Sequence, residues 1–213
     1  MSNLFLKELR LAVHPSLFVF IFLGALVLVP AYPYGVVFFF AMLGIFQSIM
    51  YARETRDIYF TALLPMRKRD AVKAKLLLAA FAQLAQLLVS IPFAFLRTLY
   101  MSEGNPAGIE ANVAYYGFGL MIFGVFNLVF FTQFFKTAYK AGVAFLIALI
   151  PAVLGIFVME AVVHFPGMEW LDSISPDALA RQTPILLAGI AVYAGTWFWT
   201  LSAAGKRFEK VDL

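Results

Sequence analysis

The sequence predicts an all-α polytopic membrane protein with six transmembrane helices, and three observations support this fold class. Of the 213 residues, 63% are hydrophobic and only 13% are charged, whereas a soluble domain carries about 25% charged residues. Apolar runs recur at lengths near the roughly 20 residues that a helix needs to cross the hydrocarbon core. The basic residues are also confined largely to alternate loops. Residues 1–213 therefore form one predicted transmembrane domain.

Six apolar runs give the predicted spans, at about residues 16–31, 34–51, 72–99, 112–135, 141–163 and 184–204. The N-terminal run has a basic head but no small-residue cleavage pattern, so we interpret it as an uncleaved first span. The connection PAYPYG predicts a tight reversal, and Pro30 and Pro33 leave a re-entrant hairpin open as an alternative. The polar stretch 164–183 predicts a small extracellular loop with a short helix near 175–181.

The distribution of Lys and Arg predicts the orientation of the chain. If both termini and the loops 52–75 and 136–140 share one side, that side holds fourteen of the sixteen basic residues. The opposite side keeps only Arg97 and Arg181. By the positive-inside rule the first side is cytoplasmic, and an even number of spans agrees with both termini lying there.

Motifs of soluble enzymes are absent from the sequence. It contains no GxxxxGK[ST] phosphate loop, no HExxH and no nucleophile elbow, so we predict that the chain is not an enzyme by itself. Cysteine is absent too. Glu160 and His164 are i,i+4 on one helical face, but two ligands make a poor metal site, and we predict none.

Few polar side chains lie within the predicted spans. The candidates for a substrate path are Gln47, Gln83, Gln86 and Asn127. Gln83 and Gln86 are i,i+3, and the alternative role is hydrogen bonding between helices, worth roughly 0.6–2 kcal/mol per contact. Small residues let helix backbones approach closely. Those of the fourth and sixth spans therefore predict close helix packing at Gly117, Gly119, Gly124, Ala188, Ala191 and Gly195.

Two charged residues near the outer ends of the spans form a candidate outer gate. Glu160 is the only carboxylate within a predicted span, and Arg97 lies at a similar depth and is expected to neutralise it. Transporters driven by an ion gradient usually need an intramembrane carboxylate or its equivalent. The position of Glu160 near the edge therefore disfavours an ion-coupled pump.

The segment 51–75 carries seven of the sixteen basic residues. Apolar residues at helical spacing predict a short helix over Arg53–Leu64, which ends at Pro65 because proline cannot continue a helix. Asp70 is placed to cap the third span, and Arg67–Lys75 is interpreted as an ordinary basic anchor. The mixed charges of the helix favour a protein docking surface, whereas a lipid tether needs only the basic part, and both remain open from the residues alone.

The order of elements resembles the small permease subunits of the ABC-2-type transporter family. Those proteins begin with an interfacial helix of the type L-x-K-[DE]-L-R, and LFLKELR here has Leu4, Lys7, Glu8, Leu9 and Arg10 in a similar arrangement. After the second span, family members carry an acidic residue, a short amphipathic helix and a turn that leads into the third span. The residues here that occupy similar positions are Glu54, Leu64, Pro65, Met66, Val72, Ala74 and Lys75. Arg67 and Lys68 depart from the residues that the family often has in this turn.

The resemblance implies a division of labour. Family members pair two membrane subunits, as a homo- or heterodimer, with two separate ABC ATPase subunits, which bind ATP and Mg. The cytoplasmic helix between spans two and three acts as a coupling helix in a groove of the ATPase. The coupling residues implied here, with those of the N-terminal interfacial helix, are Arg53, Glu54, Arg56, Asp57, Tyr59, Phe60, Leu64, Lys7, Glu8 and Arg10.

The expected function is therefore the permease subunit of an ATP-driven exporter in the bacterial cytoplasmic membrane. The Phe-rich spans are similar to those of permeases that export amphipathic peptides such as phenol-soluble modulins or bacteriocins, so the expected substrate is amphipathic or hydrophobic: a peptide, a lipid or a drug. The alternatives are a membrane scaffold or sensor subunit without a transport path and a secondary transporter.

Overall fold

Helices make up the structure, which is a computed structural model describing residues 2–63, 66–100 and 104–211. Within these residues there is no β-strand. The eight α-helices are α1 Ser2–Lys7, α2 Ser16–Phe22, α3 Gly35–Glu54, α4 Asp57–Leu63, α5 Lys68–Tyr100, α6 Val113–Phe134, α7 Ala141–Val162 and α8 Pro176–Glu209. A π-helical turn, Glu8–Ala12, extends α1, a 3₁₀ segment, Leu23–Leu28, extends α2, and another 3₁₀ turn spans Glu169–Leu171.

Among the described residues, five helices are long and apolar enough to cross a membrane: α3, α5, α6, α7 and α8. At the N-terminus, Leu4–Ala12 and Ser16–Leu28 meet at 98°, and this bent pair brings the number to six if it is counted as one span. The second limb alone rises about 22 Å, which is less than the roughly 30 Å of hydrocarbon. The first predicted span is therefore shorter than the others, and the preceding limb turns sharply away from it.

Helix α8 is continuous from Pro176 to Glu209. Its start is set by Ser175, whose side chain accepts a hydrogen bond from the Ala178 amide, and by Pro176 at the first helical position. The short helix expected near 175–181 is thus the first part of α8 rather than a separate element. Pro184 lies inside this helix.

Helix α6 lies at the centre of the protein and packs against both α7 and α8. A Cβ atom added to Gly189 would lie 2.3 Å from the Gly117 carbonyl oxygen, so α6 and α8 approach through backbone atoms. Gly117 therefore packs as the sequence predicted. On α8 the prediction of Ala188 and Ala191 was wrong, since both are exposed and Gly189 makes the contact. Gly195 likewise faces open space.

The inner face of α6 is filled by aromatic rings. Phe126 and Phe130 stack at 5.3 Å, and Phe145 of α7 meets both rings edge-on. Offset and edge-to-face pairs of this kind stabilise a core beyond their buried area, by about 0.5–1.5 kcal/mol each. Many phenylalanine side chains of this region therefore belong to the core. Their packing holds the helices that carry the candidate functional residues in place.

Candidate functional site

The C-terminal end of α3 leads directly into α4. Helix α3 ends at Glu54, where the Thr55 amide still bonds to the Tyr51 carbonyl, and Arg56 then adopts a left-handed backbone with φ 54°. A left-handed residue ends a helix because it turns the chain off the helical path. The prediction of one helix over Arg53–Leu64 was therefore wrong. Arg53 and Glu54 belong to the end of α3, and Leu64 lies outside the described residues.

Beneath α4 lies a group of four alternating charges, which we name the charge quartet: Lys7, Glu8, Asp57 and Lys75. Lys7 Nζ lies 2.6 Å from Asp57 Oδ1 and 3.0 Å from Glu8 Oε1. Lys75 Nζ lies 3.0 Å from both Glu8 Oε2 and Asp57 Oδ2. The quartet closes a ring of ion pairs that joins the N-terminal helix, α4 and α5.

The charge quartet is largely removed from solvent. Glu8, Asp57 and Lys75 are buried, and Lys75 is only 3% exposed. Burying an ion costs several kcal/mol unless a partner of opposite sign compensates it, and here two cations face two anions. Burial would raise the pKa of Asp57, but Lys75 and Lys7 outweigh burial and hold this pKa below its ordinary value. Lys7 also donates to Thr61 Oγ1 of α4 at 2.8 Å.

Lys75 was predicted as an ordinary basic anchor, and this was wrong. It lies on the buried stripe of α5, four residues from both Ala71 and Ala79, which are themselves buried. That spacing of apolar residues around a lysine was the available signal for a buried cation. Lys7, Glu8 and Asp57, predicted as docking residues, likewise bond inside the protein.

The side of α4 that faces away from the charge quartet is exposed to solvent. Tyr59, Phe60 and Leu63 are 51%, 58% and 85% exposed, and we name these three residues the docking face. An isolated exposed apolar residue needs no explanation, but several together mark an interaction site. Among the other predicted docking residues, Arg10, Glu54 and Arg56 are exposed and Arg53 is partly buried.

The four candidate residues for a substrate path make hydrogen bonds inside the protein. Gln83 and Asn127 exchange reciprocal amide hydrogen bonds at 2.9 and 2.8 Å, and the Tyr193 hydroxyl donates to Gln83 Oε1 at 2.8 Å. These bonds join α5, α6 and α8. Gln86 points elsewhere and donates to the Phe20 carbonyl at 2.9 Å. Gln47, the remaining candidate for a substrate path, accepts from the Ser16 hydroxyl. A role in a substrate path stays a prediction for all four candidates.

At the end of α5 opposite to Lys75, the predicted pairing of Arg97 with Glu160 was wrong. Arg97 pairs with Glu110, Nε to Oε2 at 3.2 Å. The Glu160 carboxylate instead accepts from two backbone amides, Gly35 at 2.5 Å and Ile109 at 3.1 Å. We name Glu160 with these two amides the outer carboxylate site, after the side of the membrane on which the charge distribution predicts it. It joins α7 to the start of α3 and to the segment before α6.

The family model described as "ABC-2 family transporter protein" matches residues 3–203. The chain belongs to the ABC-2 transporter family. No curated protein and no solved structure matches it. The chain is thus the permease component of an ABC transporter, a class that normally works with an ABC ATPase. The matched range of this ABC-2 permease includes the charge quartet, the docking face and the outer carboxylate site.

Proposed function

We propose that this ABC-2 permease exports an amphipathic or hydrophobic substrate, a peptide, a lipid or a drug, from the cytoplasm or inner leaflet of the bacterial cytoplasmic membrane. Its ATPase is a separate chain that binds ATP and Mg, and a second permease subunit completes the path. Both termini and α4 lie on the cytoplasmic side. The charge asymmetry of the loops supports this orientation.

In this proposal α4 is the coupling helix. The arrangement of its two sides supports this role. The helix presents the exposed docking face on one side, while Asp57 on its other side is held by Lys7 and Lys75. A partner seated on the docking face would therefore move α4 together with the N-terminal helix and α5. Helix α5 extends over 33 residues to the outer loops, so a displacement of its N-terminal end is transmitted to the opposite end of the protein.

The proposal is tested by substituting the docking face. Phe60→Ser and Leu63→Ser each remove exposed apolar surface without touching the charge quartet, and we expect at least tenfold less ATPase chain retained on the purified permease. Export of a fluorescent amphipathic peptide into proteoliposome lumens should fall in parallel. Because apolar side chains buried at the centre of an interface carry much of the binding energy, the loss should exceed that from a rim residue.

The matched control is Phe165→Ser, which removes a ring exposed to a similar degree in the loop after α7, at the outer end. This variant should retain the ATPase and export at the wild-type level. A permease that never retains an ATPase chain, or docking-face variants that match the control, would contradict the proposal.

A further inference from the structure

A groove lies beside α4, between the end of α3 and the loop that connects α6 to α7. Its volume is about 620 Å³, within the range of ligand-sized clefts. The residues that line it are Ala52, Arg53, Glu54, Arg56, Ile58, Tyr59, Ala138 and Tyr139. The α6–α7 loop was not among the predicted docking residues, so the groove adds a second element to this surface.

Positive charge dominates the groove. Arg53 and Arg56 both line it, against the single acid Glu54. The Arg53 guanidinium stands 5.1 Å from the centre of the Tyr139 ring, which orients it by a cation–π contact. A guanidinium oriented in this way presents its remaining N–H groups in a fixed fork, the geometry that recognises carboxylates through two parallel hydrogen bonds.

The groove is also continuous with the docking face. Tyr59 belongs to both surfaces, and the Tyr139 ring across the groove is 58% exposed. A partner that covers the docking face therefore reaches the groove without a gap. This continuity favours one macromolecular occupant over a separate small ligand.

We infer that the groove binds an acidic segment of the ABC ATPase, with carboxylates on Arg53 and Arg56 and an apolar side chain between Tyr59 and Tyr139. The inference rests on the proposed function and adds to it the chemistry of the partner and the α6–α7 loop as a second contact. Rim charges of this kind mainly accelerate association and fix the register, and their effect is screened by salt.

The test measures binding of the ATPase chain that is retained by the wild-type permease, using permease reconstituted in nanodiscs of phosphatidylcholine alone. We expect Arg53→Glu and Arg56→Glu each to weaken binding about tenfold at low salt, with a smaller loss at 0.5 M salt. Tyr139→Ala should weaken binding severalfold at either salt concentration. The matched control is Lys140→Glu, an exposed cation of the same loop that does not line the groove, and it should change binding less than twofold.

The outcomes separate this inference from the proposed function. If Phe60→Ser reduces ATPase binding while the groove variants match Lys140→Glu, the proposed function stands and the groove assignment is wrong. If Arg53→Glu leaves ATPase binding intact but reduces the binding of phosphatidylglycerol to the permease, the groove is a lipid site and the inference is overturned. If no ATPase binds the wild-type permease, the proposed function fails first. Monodisperse elution of each variant excludes misfolding, and Arg53→Lys provides a second, milder variant.

Discussion

The charge quartet and the outer carboxylate site differ in the partners that compensate a buried carboxylate. Both bury a carboxylate where three segments of chain meet. In the charge quartet Asp57 is compensated by two lysine side chains, whereas in the outer carboxylate site Glu160 is bound by two backbone amides. Side-chain partners can shift or be exchanged as helices move, but an amide cannot be replaced without rebuilding the backbone. We therefore predict that the charge quartet can adjust as helices move, whereas the outer carboxylate site stays fixed.

The largest expected effect comes from removing one cation of the charge quartet. Lys75→Met keeps a long apolar stem but leaves Glu8 and Asp57 with Lys7 as their remaining quartet partner. An uncompensated buried charge costs about 3–5 kcal/mol, so the free energy of unfolding in detergent should fall by that order. Lys73→Met, two residues earlier on α5 and partly exposed, should cost less than about 0.5 kcal/mol.

A second substitution tests whether the ion pairs of the charge quartet can replace one another. Glu8→Leu added to Lys75→Met leaves the neutral pair Lys7 and Asp57, which stand 2.6 Å apart. Since replacing a whole buried ion pair by apolar residues is often neutral, the double variant should regain most of the lost stability. A double variant less stable than Lys75→Met alone would show that the quartet is not a set of exchangeable pairs.

At the outer end, a smaller effect without rescue is expected. Glu160→Gln keeps the shape of the side chain but replaces one acceptor oxygen by an N–H donor, so one of the two amides loses its partner. A buried donor left unpaired costs about 1–3 kcal/mol. Asp177→Asn, at an exposed acid in the first turn of α8, is the control and should cost less, as thermal unfolding in detergent would show.

A substitution at Gly108 tests whether close packing of the backbone against the Glu160 carboxylate contributes to stability. A Cβ atom there would lie 1.7 Å from Glu160 Oε2, closer than any real contact. Gly108→Ala should therefore destabilise the wild type, and it should cost much less in a Glu160→Ala background, because the oxygen that it strikes is gone. Additive losses in this double-mutant cycle would contradict the contact.

The two regions also differ in how far the sequence predicted them. The helices follow from local hydropathy, which acts over about 20 residues. The distribution of charge predicts the orientation of the chain. The bonds of Lys75 to Glu8 and Asp57 join residues 67 and 18 positions apart, and only the apolar spacing around Lys75 suggested its burial. The partners of Glu160 are backbone amides of distant segments. Since every residue except proline has such an amide, no side-chain pattern points to them.

The smallest predicted effect concerns the pH dependence of two aspartates, one from each end. The pKa of Asp57 is lowered on folding, because Lys75 and Lys7 outweigh burial. The pKa of Asp172, which accepts from the Glu110 amide at 2.6 Å, is raised by burial and by the Glu110 charge, against the opposing effects of that hydrogen bond, His164 and Arg97. The two carboxyl groups should therefore give stability contributions of opposite slope.

For Asp57 the contribution is complete above its ordinary pKa of 3.8 and is lost as the pH falls through its lower folded value. For Asp172 the contribution is greatest below 3.8 and declines as the pH rises toward its higher folded value. Unfolding temperatures measured from pH 2.5 to 7 should therefore show the deficit of Asp57→Asn shrinking toward acid. The difference between Asp172→Asn and the wild type should instead shift in favour of the variant as the pH rises past 3.8. Parallel pH profiles for the two variants would mean that both carboxyl groups are compensated alike, and the contrast between an adjustable and a fixed junction would then rest on the rescue experiment alone.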